Sequence, residues 1–296
     1  LVDISETQAA RRSHADLMLE RARWASSIFQ RFDRDRTRRI VDAVARVAHD
    51  QAAHYAAWAV EETGFGVVEH KTLKNELTSV AFADHYADDD FVSPVVDEAR
   101  KMVRIPRPAG VVLALTPSTN PIATVNFKIL MALMTRNAIV LSPHPGARAC
   151  CVDAVHTLAR AAVEAGAPDG CIQVIEQPTI PLIEEFMASP KTSVILATGG
   201  TAMVRSAYSS SNPAIGVGPG NAPVYVDPSA DIPMAAKCIV DSKSFDNSVL
   251  CTSDSVVVTL PEADERLRQS LRQAGAYICD DEEVERLRRF LFHERG

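Results

Sequence analysis

Positive charge is what this chain has least to spare. Its 296 residues carry 31 Lys and Arg against 38 Asp and Glu, a formal net charge of −7. A nucleic-acid partner is excluded on that ground, because phosphate recognition needs a cationic footprint. Long apolar runs are missing too. The most continuous stretches, at 111–115 and 129–134, fall far short of the ~20 residues that cross a bilayer, so no membrane segment is expected. Asp3, Glu6, Arg11 and Arg12 interrupt the first fourteen residues, and a secretory leader is not expected there. The six cysteines, at 150, 151, 171, 238, 251 and 279, form no C-x-x-C pair. That spacing excludes a zinc ribbon or a disulfide framework and fits the reduced thiols of a cytoplasmic protein. Internal repeats and low-complexity segments are absent as well.

What is present is a helical block followed by alternating strands and helices. Met18, Ala22, Ala25 and Phe29 recur at helical spacing, as do Ile40, Val44, Val47 and Ala48. Gly64 is placed to end a third helix, and a fourth is expected over 67–86. The acidic run at 88–90 closes the block as a solvated loop. Residues 101–108 then alternate as a strand. Their two prolines suit an extended arm, 99–109, that joins subunits by strand exchange. From 111 onward, apolar strands at 111–115, 138–141, 172–175, 193–197 and 223–227 alternate with helices at 121–134, 147–165, 182–188 and 201–209. That alternation predicts an α/β fold with a doubly wound, Rossmann-like sheet. A helix at 234–245 and a strand at 255–260 follow. The expected domains are 1–240, binding a dinucleotide, and 241–296, the start of a second α/β domain.

Ligands of such sheets sit beyond the carboxyl ends of the strands. The loops that count are therefore 116–120, with Thr116, Pro117, Ser118, Thr119 and Asn120; 142–146, with Ser142 and His144; 177–180; and 198–200, with Thr198, Gly199 and Gly200. No G-x-G-x-x-G opens a helix, so the ordinary dinucleotide fingerprint is missing. Gly216-Val-Gly218-Pro-Gly220 runs into a strand instead and is expected to form a tight loop. Thr198-Gly199-Gly200 joins a strand to a helix and would aim free amides at an anion. Asn120 precedes Pro121 and is expected to cap the next helix, a role that needs no chemistry. His144 reads first as a solvent-facing loop residue. Cys251 ends a polar loop rather than lying inside a strand, which leaves open either a buried small hydrophobe or an accessible nucleophile.

Taken in order, several strings resemble the CoA-acylating branch of the aldehyde dehydrogenase superfamily. They are Pro117-Ser-Thr-Asn-Pro121, Phe127-Lys128, Thr135-Arg-Asn-Ala138, Ser142-Pro-His-Pro145, Leu196-Ala-Thr-Gly-Gly200, Ala207-Tyr-Ser-Ser210, Gly216-Val-Gly-Pro-Gly-Asn221 and Phe245-Asp-Asn-Ser-Val-Leu-Cys251. Lys74-Asn-Glu-Leu-Thr78 and Ile105-Pro-Arg-Pro-Ala109 look most like acylating sulfoacetaldehyde dehydrogenases. The resemblance implies an aldehyde-dehydrogenase-like fold in which Cys251 attacks a small aldehyde. Asn120 and the Cys251 amide would stabilise the oxyanion, and coenzyme A would take the acyl group. It also implies a nicotinamide cofactor, NADP or NAD, held by Thr116, Pro117, Ser118, Thr119, Ser142, His144, Thr198, Gly199, Gly200, Met203, Gly216 and Gly218. A homodimer or homotetramer is implied as well.

Three departures from the family pattern refine this picture. Hydrolytic members carry a Glu-Leu-Gly-Gly string whose glutamate activates water; here Gly216-Val-Gly-Pro-Gly220 has no carboxylate. Members that prefer NAD often carry Lys-Pro-x-Glu where this chain has Ser142-Pro-His144-Pro, so a 2′-phosphate meets no repulsion and NADP is favoured over NAD. The family's catalytic domain continues well past the 45 residues that follow Cys251, so 241–296 is expected to be only its beginning. The competing expectations are a hydrolytic enzyme and a non-catalytic dinucleotide-binding fragment.

Overall fold

The computed structural model describes residues 7–292. Asp3 and Glu6 of the charged amino-terminal stretch, and residues 293–296 of the expected second domain, lie outside them. The chain forms two compact units, Leu1–Pro219 and Gly220–Gly296.

The first unit opens with α1 (Gln8–Phe29), α2 (Arg34–Asp50) and α3 (Ala52–Thr63). Thr7 and Asp33 cap the first two by accepting from the amides of Ala10 and Arg36. Gly64, at φ +69°, ends the third. The single helix expected over 67–86 is instead two, α4 (Val68–Leu77) and α5 (Val80–His85). Side chains cause the break. The Thr78 and Ser79 hydroxyls bond back to the Lys74 and Glu76 carbonyls, and Ser79 leaves helical geometry at ψ −107°. The strand expected over 101–108 shrinks to β2 (Met102–Arg104), which pairs antiparallel with an unanticipated β1 (Val95–Asp97). Pro106 and Pro108 have no amide to donate, so the ladder cannot continue through them.

The centre of this unit is a five-stranded parallel sheet in the order β5-β4-β3-β6-β7. Its strands are β3 (Val111–Thr116), β4 (Ala138–Pro143), β5 (Ile172–Val174), β6 (Val194–Thr198) and β7 (Ala214–Val217). Helices α6 (Pro121–Met134), α7 (Arg148–Glu164), α8 (Ile180–Ala188) and α9 (Thr201–Tyr208) connect them. The two-residue period of the strands sorts their side chains onto opposite faces. Val112, Ala114, Ile139 and Leu141 join one core with the apolar faces of α2, α6 and α7. Val111, Leu113, Leu115, Ala138 and Val140 join another with α1 and α8. The sheet is thus doubly wound, as the sequence predicts. β7 is a correction: Gly216, expected in a loop, lies inside this edge strand. The chain leaves β3 toward β4 on one side and reaches β6 on the other, which puts the topological switch at the carboxyl end of β3.

The second unit pairs β8 (Ala222–Val226) in parallel with β9 (Asp254–Thr259) and adds α10 (Ile232–Ser244), α11 (Pro261–Gln273) and α12 (Asp281–Leu291). Its core is small: Val226, Ile232, Ala236, Ile239, Ala263 and Leu267. Residue 240, where the sequence reading places the domain change, falls inside α10. Among the described residues no helix is long and apolar enough to cross a membrane.

One helix start is capped from a distance. α7 has no side-chain cap of its own. The Glu62 carboxylate at the end of α3 accepts from the amides of Ala149 at 2.7 Å and Cys150 at 2.8 Å. An anion there satisfies two otherwise orphaned donors and opposes the helix dipole. Glu62→Ala should lower the free energy of unfolding by about 1–2 kcal/mol. Urea denaturation checks this, and an unchanged midpoint would show that water replaces the carboxylate without loss.

Candidate active site

The loops that the sequence singles out lie at the switch. β3 ends at Thr116, and the chain turns through Pro117, Ser118 and Thr119 into α6. Thr116 Oγ1 and Ser142 Oγ, on neighbouring strands, are both buried without a hydrogen-bond partner in the protein. Leaving such a group unsatisfied costs about 1–3 kcal/mol, so the fold keeps hydrogen-bonding capacity here that its own atoms do not use. α9 begins at Gly200 with no side-chain cap, and a Cβ added to Gly200 would meet nothing within 4 Å. Its first amides suit an anionic group. The helix start after β6 is open to an anion, whereas the hydroxyls on β3 and β4 are covered by the protein itself.

Three lysines that sequence reasoning gave no role hold this region. Lys128, in the middle of the apolar helix α6, donates to the carbonyls of Leu115 at 2.7 Å and Leu196 at 2.8 Å. It thereby ties the ends of β3 and β6 together. Burial pushes its ammonium down to about 7, while the two carbonyls it donates to favour the charged form. From α4, Lys71 donates to the Thr119 carbonyl at 2.7 Å, and Lys74 donates to the Asn120 side-chain oxygen. Asn120 occupies the N-cap position of α6 but makes no side-chain cap bond. The expected capping role is therefore corrected: its amide oxygen is engaged by Lys74.

His144 is exposed, and its Nδ1 accepts from the Gly146 amide at 3.0 Å. That bond leaves Nε2 as the ring nitrogen not engaged by Gly146. Gly216 has a packing reason to be glycine: a Cβ there would press on Tyr208 at 2.8 Å and on Val204 of α9. Gly218 follows β7, and a Cβ there would meet nothing within 4 Å.

In the second unit, Cys251 is exposed on the turn before β9. Asp246, Asn247 and Ser248 approach it with φ of +52°, +53° and +61°. Three consecutive left-handed residues without glycine are costly, roughly 1–2 kcal/mol each, and the Asp246 side chain is fully buried among its surroundings. Gly220 lies against the Cys251 backbone so closely that an added Cβ would collide with the Cys251 carbonyl. The other cysteines divide by access. Cys150, Cys151 and Cys171 are buried, Cys238 is exposed and Cys279 is half-buried. The hydrogen bond with Cys151, together with burial, drives the Cys150 thiol far upward, and burial pushes Cys171 up to about 12. Neither supplies a thiolate at neutral pH. Among the described residues no cluster of His, Cys, Asp and Glu could hold a metal ion.

The model of the aldehyde dehydrogenase family matches residues 2–279. The chain belongs to that family. An aldehyde-alcohol dehydrogenase of Clostridium acetobutylicum is 39% identical over 271 residues, covering 91% of this chain and 31% of that protein. The crystal structure of an acetylating aldehyde dehydrogenase from Geobacillus thermoglucosidasius superposes with a TM-score of 0.91 at 40% identity, covering 100% of this chain and 65% of that one. A Rhodopseudomonas palustris propionaldehyde dehydrogenase, solved with bound CoA and an acylated cysteine, gives a TM-score of 0.81 at 30% identity, covering 94% and 63%. The chain thus spans about a third of the first relative and under two thirds of each solved one.

Within this aldehyde dehydrogenase unit, the expected cofactor residues gather in part. Thr116, Pro117, Ser118, Thr119, Ser142, His144, Thr198, Gly199, Gly200 and Met203 all lie at the carboxyl ends of β3, β4 and β6 or on the first turn of α9. Gly216 and Gly218 lie in and just after the edge strand β7. The missed lysines had one visible signal in the sequence, a lone cation in an apolar helical run at Lys128.

Two outcomes follow from this geometry. Alkylation of the native protein, read by mass spectrometry, should label Cys251 and Cys238 and spare Cys150, Cys151 and Cys171 until the chain is unfolded. For Lys128, both folded and unfolded states are protonated below about 7, and the burial cost is fully present there. As pH rises from 7 toward the ordinary value of 10.5, the folded state releases its proton first and stability increases. Lys128→Met should abolish that rise, which urea titrations across the window would reveal as a flattened profile.

Proposed function

We propose that the protein carrying this chain oxidises a small aldehyde to its acyl-CoA, with NADP or NAD as acceptor and Cys251 as nucleophile. The observation that carries the reading is Cys251 itself: an exposed thiol on a turn that follows three left-handed residues and lies against Gly220. The sequence at 216–220 also carries no carboxylate that could activate water. The Cys251 thiolate adds to the aldehyde carbon, a C–S bond forms, and the carbonyl electron pair moves onto oxygen. Asn120 and the Cys251 amide stabilise that oxyanion. As the C=O bond re-forms, the carbon would give up its hydride to a nicotinamide, leaving an acyl thioester on Cys251; the 116–120 loop and the start of α9 would hold that dinucleotide. Coenzyme A, as thiolate, then takes the acyl group and Cys251 leaves.

NADP is the favoured cofactor in this reading, because Ser142 and Pro145 stand where NAD-preferring relatives often carry Lys and Glu. Exposed His144 adds a ring nitrogen, Nε2, that could face a 2′-phosphate. Sulfoacetaldehyde is the favoured substrate, on the strength of the strings at 74–78 and 105–109. The exposed Val96, Met102 and Val103 of the β1–β2 hairpin support a homodimer or homotetramer, and the reduced cysteines support a cytoplasmic setting.

The test follows reduced nicotinamide by absorbance in the intact protein, with a panel of small aldehydes and with coenzyme A present or omitted. Sustained turnover should require coenzyme A, and Cys251→Ala should lower it by roughly 10³-fold or more. Sustained turnover without coenzyme A would mean hydrolysis to the free acid. Full activity in Cys251→Ala would remove the proposed mechanism.

A further inference from the structure

We propose that Lys74 is a positioning residue for this reaction: it orients the Asn120 amide so that Nδ2, not Oδ1, is presented for the developing oxyanion. The inference rests on the reading of Asn120 as an oxyanion donor.

Asparagine at an N-cap ordinarily turns its side-chain oxygen toward the amides of the first helical turn. Asn120 stands at the N-cap of α6 and makes no such bond. Its Oδ1 accepts instead from Lys74 Nζ, on a side chain that is only 7% exposed with its residue. A lysine ammonium has three donors and no acceptor, so it can engage only the oxygen edge of the amide. That contact removes the flip ambiguity of an asparagine and directs Nδ2 away from the lysine. An acceptor engaged by a cation also polarises the amide and makes its N–H a stronger donor.

The arrangement around the pair is built to keep it in place. One turn earlier on α4, Lys71 is 3% exposed and donates to the carbonyl of Thr119. Two buried ammonium groups from one helix therefore fix two consecutive residues of the loop. α4 is itself anchored, since Asn75 Nδ2 donates to the Ala52 carbonyl at 2.9 Å at the start of α3. Packing alone would be served better by leucine at either lysine position, because an ammonium is expensive to desolvate. A lysine donor on the oxygen of an N-cap asparagine that makes no cap bond points to one amide orientation.

The experiment uses the intact protein and reads a single turnover of nicotinamide reduction without coenzyme A, which isolates acylation of the cysteine. Asn120→Ala should slow that step by about 10²-fold. Lys74→Met should slow it by about 10-fold or more and leave the dissociation constant of the dinucleotide unchanged. Lys74→Met added to Asn120→Ala should cause no further loss, because the lysine acts through the amide. Lys74→Gln keeps a donor for Oδ1 and should recover much of the rate; it also serves where Lys74→Met fails to fold.

A native acylation rate in Lys74→Met, with Asn120→Ala slow, overturns the proposal and leaves the reading of Asn120 standing. So do losses that multiply in the double variant, or a Lys74→Gln no faster than Lys74→Met. A native rate in Asn120→Ala removes the reading of Asn120 and this proposal with it.

Discussion

Buried lysine side chains hold the segment that joins β3 to α6. Between Leu115 and Asn120 the chain passes from strand to helix at the switch of a parallel sheet, where backbone groups lose their ladder partners. Lys128 takes the Leu115 carbonyl together with Leu196, Lys71 takes Thr119, and Lys74 takes the Asn120 side chain. Burying an ammonium costs several kcal/mol unless carbonyls or other acceptors replace its water. Each lysine is therefore committed to its acceptors, and each acceptor to its place. The loop is thereby made stiff in a region where loops are ordinarily mobile. A stiff loop suits a group whose donors must stand ready before charge develops.

Much of this architecture was legible in the sequence. Strands 111–115 and 138–141 and helix 121–134 announce themselves because they are buried on nearly every side, so their apolar runs are continuous. What was hidden depended on contacts between distant segments. The break in the helix at Ser79 arises from hydroxyls bonding backward, which a pattern of apolar spacing does not register. β7 is four residues long and carries a glycine; it is a strand because it pairs in parallel with β6, and its glycine makes room for Tyr208 and Val204 of α9. Asn120 looked like a cap because a cap is the local use of asparagine before proline. Only the lysine arriving from a helix more than forty residues earlier shows that its oxygen is otherwise engaged. Lys128 and Lys74 were visible inside strings that resemble the family, but their burial was not.

The cysteine end of the chemistry obeys a different constraint. Asp246, Asn247 and Ser248 hold left-handed geometry that glycine would adopt without strain. Non-glycine residues persist there only when their surroundings over-determine them, and the fully buried Asp246 side chain is such a determinant. Gly220 acts from the other side, since its missing side chain is what lets the chain lie against the Cys251 carbonyl. The position of this thiol is therefore fixed by backbone on both flanks rather than by packing of its own side chain. That leaves Sγ exposed without leaving it loose.

In the proposed reaction, the sequence at 216–220 bears on why a thiol, and not water, would take the acyl group. Water must be deprotonated as it attacks, and at neutral pH it needs a carboxylate or imidazole close by. The segment from Gly216 to Gly220 offers hydrogen, a valine side chain and a proline ring instead. Coenzyme A brings its own solution, because a thiol of ordinary acidity is already a few per cent thiolate near pH 7 (roughly a millionfold or more beyond what water achieves as hydroxide). A thioester that meets no general base would be kinetically protected from hydrolysis while remaining open to a thiolate. In the proposed reaction the choice between acid and thioester products would then depend on which groups the protein omits, as much as on any surface that recognises coenzyme A.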